Sequence, residues 1–329
     1  MNSTTTRILG FQMKAITRRL RLRNSVFFFT LVGLAFIGLN ALPALGQQTD
    51  DPVIQTFPAG RGPRALASDG TYIWVANWDD NTVVKLRASD GTLQDTYPVG
   101  PHPRDIVYDG ANFWVANFDD GTVTKLRGSD GANLGTFKVA SLSSCLTWDG
   151  ANLWVASWDD RTVTKVRGID GVILGSYKVG RTPMDILFDG SNIWVACWGS
   201  TKVYKLRASD GTQLGKIPMQ FGPQTLGFDG KKIWVADDSS SVMTLIRPSD
   251  GKIIGSANSG AWPCLGMAFD GNDMWGTDYG AYTVNRMRAA SGAFAGRIPV
   301  GVQPVGVIFD GTSIWVANQA DDTVTKITK

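Results

Sequence analysis

Tryptophan recurs at positions 74, 114, 154, 194, 234, 275 and 315, in steps of 40 residues with a single step of 41. One globular core has no reason to return to its largest side chain at a fixed interval, so the chain reads as seven copies of one unit. An Asp-Gly pair precedes each of these tryptophans by five residues, and a further Asp-Gly or Ser-Gly pair falls between successive copies at 90, 130, 170, 210, 250 and 291. Such pairs are favourable hairpin turns, so each unit divides into four short strands, A to D. In the second unit these span 105–108, 112–117, 122–127 and 134–139. Four strands per unit of about 40 residues predict an all-β, seven-bladed β-propeller with four antiparallel strands per blade.

The two ends of the repeat fit one another. Residues 53–57 resemble the D strands, whereas the last unit stops at strand C with 323–328, so the amino-terminal strand is expected to close the ring as strand D of the last blade. In strand B the pattern Ile-Trp-Val-Ala makes both faces apolar, which requires cover on both sides, and the repeated tryptophan is assigned to the core. Strand C carries Lys-Leu-Arg at 85–87, 125–127 and 205–207, and Lys-Val-Arg at 165–167. These recurring cations are expected to form a solvated outer surface.

All 29 acidic residues are Asp, and Glu is absent, a bias toward turns and away from helices. The formal charge of +3 does not describe the repeat region. Arg7, Lys14, Arg18, Arg19, Arg21 and Arg23 all precede the first acid, Asp50, and without them 26 basic residues face 29 acidic ones, a net of −3. That balance, spread over the repeats with no basic stripe, argues against a nucleic-acid partner. The six cations lead into an apolar run at 26–39, followed by small residues at 44–46 before Gln47. Residues 1–46 are therefore expected to be a signal peptide and 47–329 the mature propeller, exported to the periplasm or beyond, with no stable membrane insertion after cleavage. An uncleaved anchor over 26–45 is the alternative. The segment 17–23 partly resembles a twin-arginine signal, which leaves the export route open.

The unit at 99–139 runs Val-Gly-x-x-Pro, Asp-Gly-x-x-x-Trp-Val-Ala-Asn and Thr-Val-x-Lys-Leu, and closely resembles the YVTN-type β-propeller repeat of exported bacterial proteins. The resemblance covers residues 53–329 and implies the propeller fold; activity does not follow from it. Related propellers include the virginiamycin B (streptogramin) lyases and quinoprotein-like enzymes. The resemblance to the lyases implies a metal-assisted site with His and Glu on the propeller face. Here His102 is the single histidine and Glu is absent, so a multi-histidine copper centre cannot be built and axial haem ligation has little to draw on.

Candidate sites lie where the repeat is broken on the face formed by the B–C and D–A connections. Four residues after each repeated tryptophan stand Trp78, Phe118, Trp158, Trp198, Asp238, Tyr279 and Gln319, and the five aromatic members form a candidate ligand-binding rim. The alternative is that each ring stiffens its own loop. At the start of strand A, Arg64, Arg104, Asp105 and Asp185, joined by Arg61, His102 and Arg181 from the preceding loops, form a candidate charged patch at the channel mouth. Salt-bridged closure of the channel reads equally well. The Asp-Asp pairs at 79/80, 119/120, 159/160 and 321/322 suit turn capping better than calcium, since no compact Asp-x-Asp-x-Asp loop is present. Of three cysteines, Cys145 and Cys197 could form a bridge, leaving Cys264 as the free thiol.

The expected function is an exported, monomeric binding protein recognising a protein, carbohydrate or small-molecule ligand, with no cofactor and no metal. A streptogramin lyase-like lyase or hydrolase, using Asp105, Asp185 and His102 with a divalent metal, is the enzymatic alternative. An envelope scaffold is a third.

Overall fold

A computed structural model of the chain describes residues 51–260 and 264–329. The expected signal peptide or anchor, 1–46, lies outside the described residues. Seven four-stranded antiparallel sheets follow one another along the chain. Blade 1 comprises β2 (Pro63–Ser68), β3 (Tyr72–Asn77), β4 (Thr82–Arg87) and β5 (Leu93–Pro98). Blade 2 repeats this with β6 (Pro103–Tyr108), β7 (Asn112–Asn117), β8 (Thr122–Arg127) and β9 (Asn133–Lys138). The inner strand β6 thus begins two residues earlier than the sequence suggests. The last blade is β26 (Pro304–Phe309), β27 (Ser313–Asn318) and β28 (Thr323–Thr328), completed by β1 (Val53–Pro58) against β28, with Val53 opposite Thr328 and Pro58 opposite Thr323. The ring is closed by its own amino-terminal strand.

Blades pack through the two apolar faces of strand B. Trp74, Ala76 and Val83 of blade 1 lie against Phe113, Val115 and Leu126 of blade 2, and the same pairing closes the circle where Trp315, Ala317 and Val324 meet Ile73, Val75 and Leu86. All seven repeated tryptophans are fully buried. A buried indole needs an acceptor for its N–H, and the Asp of the preceding Asp-Gly turn provides it. Asp149 Oδ2 accepts from Trp154 Nε1 at 2.8 Å, while its Oδ1 accepts the amides of Ala151 and Asn152. The same arrangement occurs with Trp114, Trp194, Trp234, Trp275 and Trp315. One carboxylate therefore makes the turn and ties it to the core. Burial opposes the charge on Asp149, but these donors outweigh it and hold the carboxyl below its ordinary pKa. Blade 1 departs: Trp74 Nε1 is buried without a hydrogen-bond partner among the described residues.

The strand C cations divide into two populations, which corrects the expectation of a solvated surface. The arginines are exposed and pair with the next turn, as Arg127 does with Asp130 at 2.9 Å. The lysines are buried: Lys85, Lys125, Lys165, Lys205 and Lys326 are 6–8% exposed. Each sits opposite the repeated tryptophan in register, with its ammonium 4.7–5.4 Å from an indole centroid. Each then donates to a backbone carbonyl of the following blade, Lys125 to Gly168 at 2.6 Å and Lys326 across the closure to Ala88 at 2.7 Å. In blade 5 the position is Leu245, and Lys232 from the end of the A–B turn takes over, lying over Trp234 and donating to the Ala289 carbonyl.

Removing these parts singly should rank them. Trp154→Ala is expected to cost about 3–5 kcal/mol as a large-to-small core change. Asp149→Ala, which strands a buried indole N–H as well as the turn amides, should cost about 1–3 kcal/mol. Asp69→Ala, whose carboxylate receives only turn amides, should cost less. Denaturant unfolding gives the order, and equal losses for the two aspartates would mean that the indole bond adds nothing.

Candidate functional site

Every inner strand starts on the face carrying the D–A and B–C connections, and the first residues of these strands surround the axis. They enclose a central cavity of about 260 Å³. At one repeat position blades 1 to 5 present Arg64, Arg104, Ser144, Met184 and Gln224, while blades 6 and 7 present Leu265 and Val305. At the next they present Ala65, Asp105, Cys145, Asp185, Thr225, Gly266 and Gly306. The two glycines answer to crowding, because a Cβ on Gly266 would lie 2.3 Å from the Val305 carbonyl oxygen and one on Gly306 2.6 Å from that of Arg64. The cavity thus has a polar side and an apolar, tightly packed side.

Its two carboxylates tie neighbouring inner strands. Inner strands are sheet edges, and their outward amides need acceptors. Asp105 accepts from Leu146 N of the next blade at 2.7 Å and from Ile106 N at 2.8 Å. Asp185 accepts from Leu226 N and Ile186 N, both at 2.7 Å, and from the Thr225 hydroxyl at 3.0 Å. Burial pushes Asp105 up to about 7, with Asp185 adding repulsion, and pushes Asp185 up to about 6, the amide bonds holding both lower than burial alone would. Cys145 makes the corresponding link between blades 3 and 4, its Sγ donating to the Met184 carbonyl at 2.6 Å. Burial pushes its thiol up to about 12. All three cysteines are free and buried, so the 145–197 bridge is not formed and Cys264 is not distinguished from the other two.

The two arginines differ from the carboxylates. Neither guanidinium has a hydrogen bond or an ion pair among the described residues; what they touch is aromatic. Arg64 lies 5.0 Å from the Trp78 centroid, and Arg104 lies 5.3 Å from Phe118 and 4.9 Å from Trp158. Burial and the nearby Arg104 charge push Arg64 down to about 10. Gln224, at the same repeat position, adds a buried Oε1 without a partner among the described residues. Its signal in the sequence is the break in the repeat that also marks Arg64.

The rim and the patch are therefore joined. Trp78, Phe118 and Trp158 follow one another across three blades, the first pair tilted and the second T-shaped, with centroids 5.6 and 5.9 Å apart, and form the wall against which Arg64 and Arg104 lie. Trp198 stands apart, 42% exposed, its indole donating to Asp238 of the next blade. Tyr279 is half-buried on the far side, close enough to Arg64 for its hydroxyl to act on that charge. His102 and Arg181 are not among the cavity-lining residues. His102 has φ of 50°, stacks on Trp78 at 4.6 Å, and its Nδ1 meets Asp119 Oδ2 at 2.6 Å. Arg181 lines a shallow depression beside Trp198 and Asp238. Arg61 is paired with Asp80 at 2.6 Å. Members of the Asp-Asp pairs serve as loop ties: Asp160 accepts from Ser141 N, Asp321 from Val302 N and Asp322 from Gly62 N. Among the described residues no three His, Cys, Asp or Glu side chains cluster as a metal set would.

No family model and no curated protein matches this chain. Solved structures do. A virginiamycin B lyase from Staphylococcus aureus superposes with a TM-score of 0.72 at 18% identity, covering 85% of this chain and 100% of that one. A streptogramin B lyase gives 0.71 at 17% identity, covering 84% and 98%. Kuenenia stuttgartiensis hydrazine synthase gives 0.72 at 17% identity, covering 82% and 96%. The shared property is the seven-bladed propeller. Such identities speak for the fold alone.

Proposed function

We propose that this chain is an exported binding propeller that takes its ligand at the channel mouth on the B–C and D–A loop face. The observation that carries the reading is the contrast between the two arginines and the rest of the ring. Turn aspartates, strand C lysines and inner-strand carboxylates are all consumed in holding blades together, whereas the cations of Arg64 and Arg104 face a cavity with no hydrogen bond or ion pair among the described residues. A like-charged pair of this kind costs folding free energy, and binding supplies a reason for keeping it.

Support for export comes from residues 1–46 and from the resemblance of the units to the YVTN-type repeat of exported bacterial proteins. Material recovered outside the cytoplasm should have an intact mass that begins near Gln47, and retention of 1–46 would speak for an anchor. The lyase alternative draws on the shared fold, but the residues it would combine are dispersed: His102 is bound to Asp119 and Trp78 outside the cavity lining, and Asp105 and Asp185 are occupied by backbone amides.

A thermal-shift panel of small carboxylates, phosphates, sugars and short peptides tests the binding reading. At least one class is expected to raise the melting temperature of the wild-type chain and to leave Arg104→Met unmoved. Hits that shift both proteins equally would place binding elsewhere.

A further inference from the structure

Resting on that reading, we infer that the channel mouth is a site for a small organic carboxylate, bracketed by the guanidinium groups of Arg64 and Arg104, with its apolar body toward Leu265 and Val305. Two guanidinium groups on adjacent blades present forked donors with no acceptor among the described residues, and a carboxylate matches such forks. Trp78, Phe118 and Trp158 back the arginines and limit their access to water, which strengthens an ion pair formed there. The cavity volume of about 260 Å³ suits a short ligand. The apolar wall of blades 6 and 7, with glycines at the second position, offers no donors to a multiply charged anion. That wall favours a single carboxylate on an apolar frame over inorganic phosphate.

The carboxyls beside the arginines give the site a pH signature. Asp105, up at about 7, and Asp185, up at about 6, are neutral in mild acid and charged in mild base. The other titratable groups acting on this cluster are Arg64, Arg104, Tyr279, Cys145 and Cys264; burial pushes both thiols up to about 12, so they stay neutral through this range. Below both carboxyl values an incoming anion meets two uncompensated cations. Above them it meets two cations and two anions. Affinity for a carboxylate that is itself ionised throughout should therefore fall as pH rises through about 6 to 7.

The test is calorimetric titration of the exported chain with benzoate at pH 5.5 and pH 8, with benzyl alcohol and inorganic phosphate as comparators. Benzoate should bind at pH 5.5 and weaken about tenfold at pH 8. Benzyl alcohol should not bind, phosphate should bind less well than benzoate, and Arg64→Met and Arg104→Met should each lose about tenfold or more. Either variant suffices should the other fail to melt cooperatively. The inference is overturned if benzoate is silent, if it binds equally to both folded variants, or if it binds more tightly at pH 8. If carboxylates are silent while another class in the panel binds wild type and spares Arg104→Met, this inference falls and the broader binding reading stands.

Discussion

Everything in this ring hangs on a buried indole held from two sides. The turn aspartate accepts its N–H, the strand C lysine lies over its ring, and that lysine reaches the backbone of the following blade. Fold, turn and interblade contact thereby become one unit that can be copied seven times. The short Asp side chain is required because its two oxygens must serve the turn amides and the indole together. Glu, one methylene longer, does not form the same tight turn, which gives its absence from these turn positions a physical reason. In blade 5 Lys232 takes the place of the missing lysine, whereas in blade 1 the Trp74 indole N–H has no acceptor among the described residues.

The period of 40, the paired turn residues and the misplaced D-like strand at 53–57 make the architecture and its closure legible in the sequence. The burial of the lysines is not legible in the same way, for a physical reason. Recurrence says that a residue belongs to the repeat, but not whether the repeat uses it inside or outside. The better signal was register: Lys165 stands eleven residues after Trp154, and a tight B–C hairpin sets them opposite one another, on the face already assigned to the core. The neighbouring Arg167, two residues on, shares that face but extends past the hairpin end to reach Asp170.

The candidate site was half legible. Breaks in the repeat singled out Arg64, Arg104, Asp105 and Asp185, and the structure brings these to one cavity. Sequence could not say which of the four were already engaged, because the partners of the aspartates are backbone amides of the next blade, invisible as residue types. His102 and Arg181 were grouped with the channel because their loops lead into strand A. Local partners hold His102 at the rim, through a left-handed backbone position and the stack on Trp78, while Arg181 stays in its own loop beside Trp198.

The proposed function amounts to a division of labour, in which repeated residues hold the ring and two unrepeated cations are kept for a ligand at some cost to the fold. Two neighbouring guanidinium groups repel one another, and Asp105 and Asp185 offset that repulsion only where they are ionised, so in mild acid the arrangement is destabilising, as sites kept for function commonly are. The thermal midpoint of the ligand-free Arg64→Met/Arg104→Met double variant at pH 5.5, below the values of both cavity carboxyls, tests this most directly. Met keeps much of the aliphatic bulk while removing both charges. The account predicts a midpoint equal to or above that of wild type; a fall comparable to that caused by Trp154→Ala would show that the arginines are part of the scaffold and contradict it.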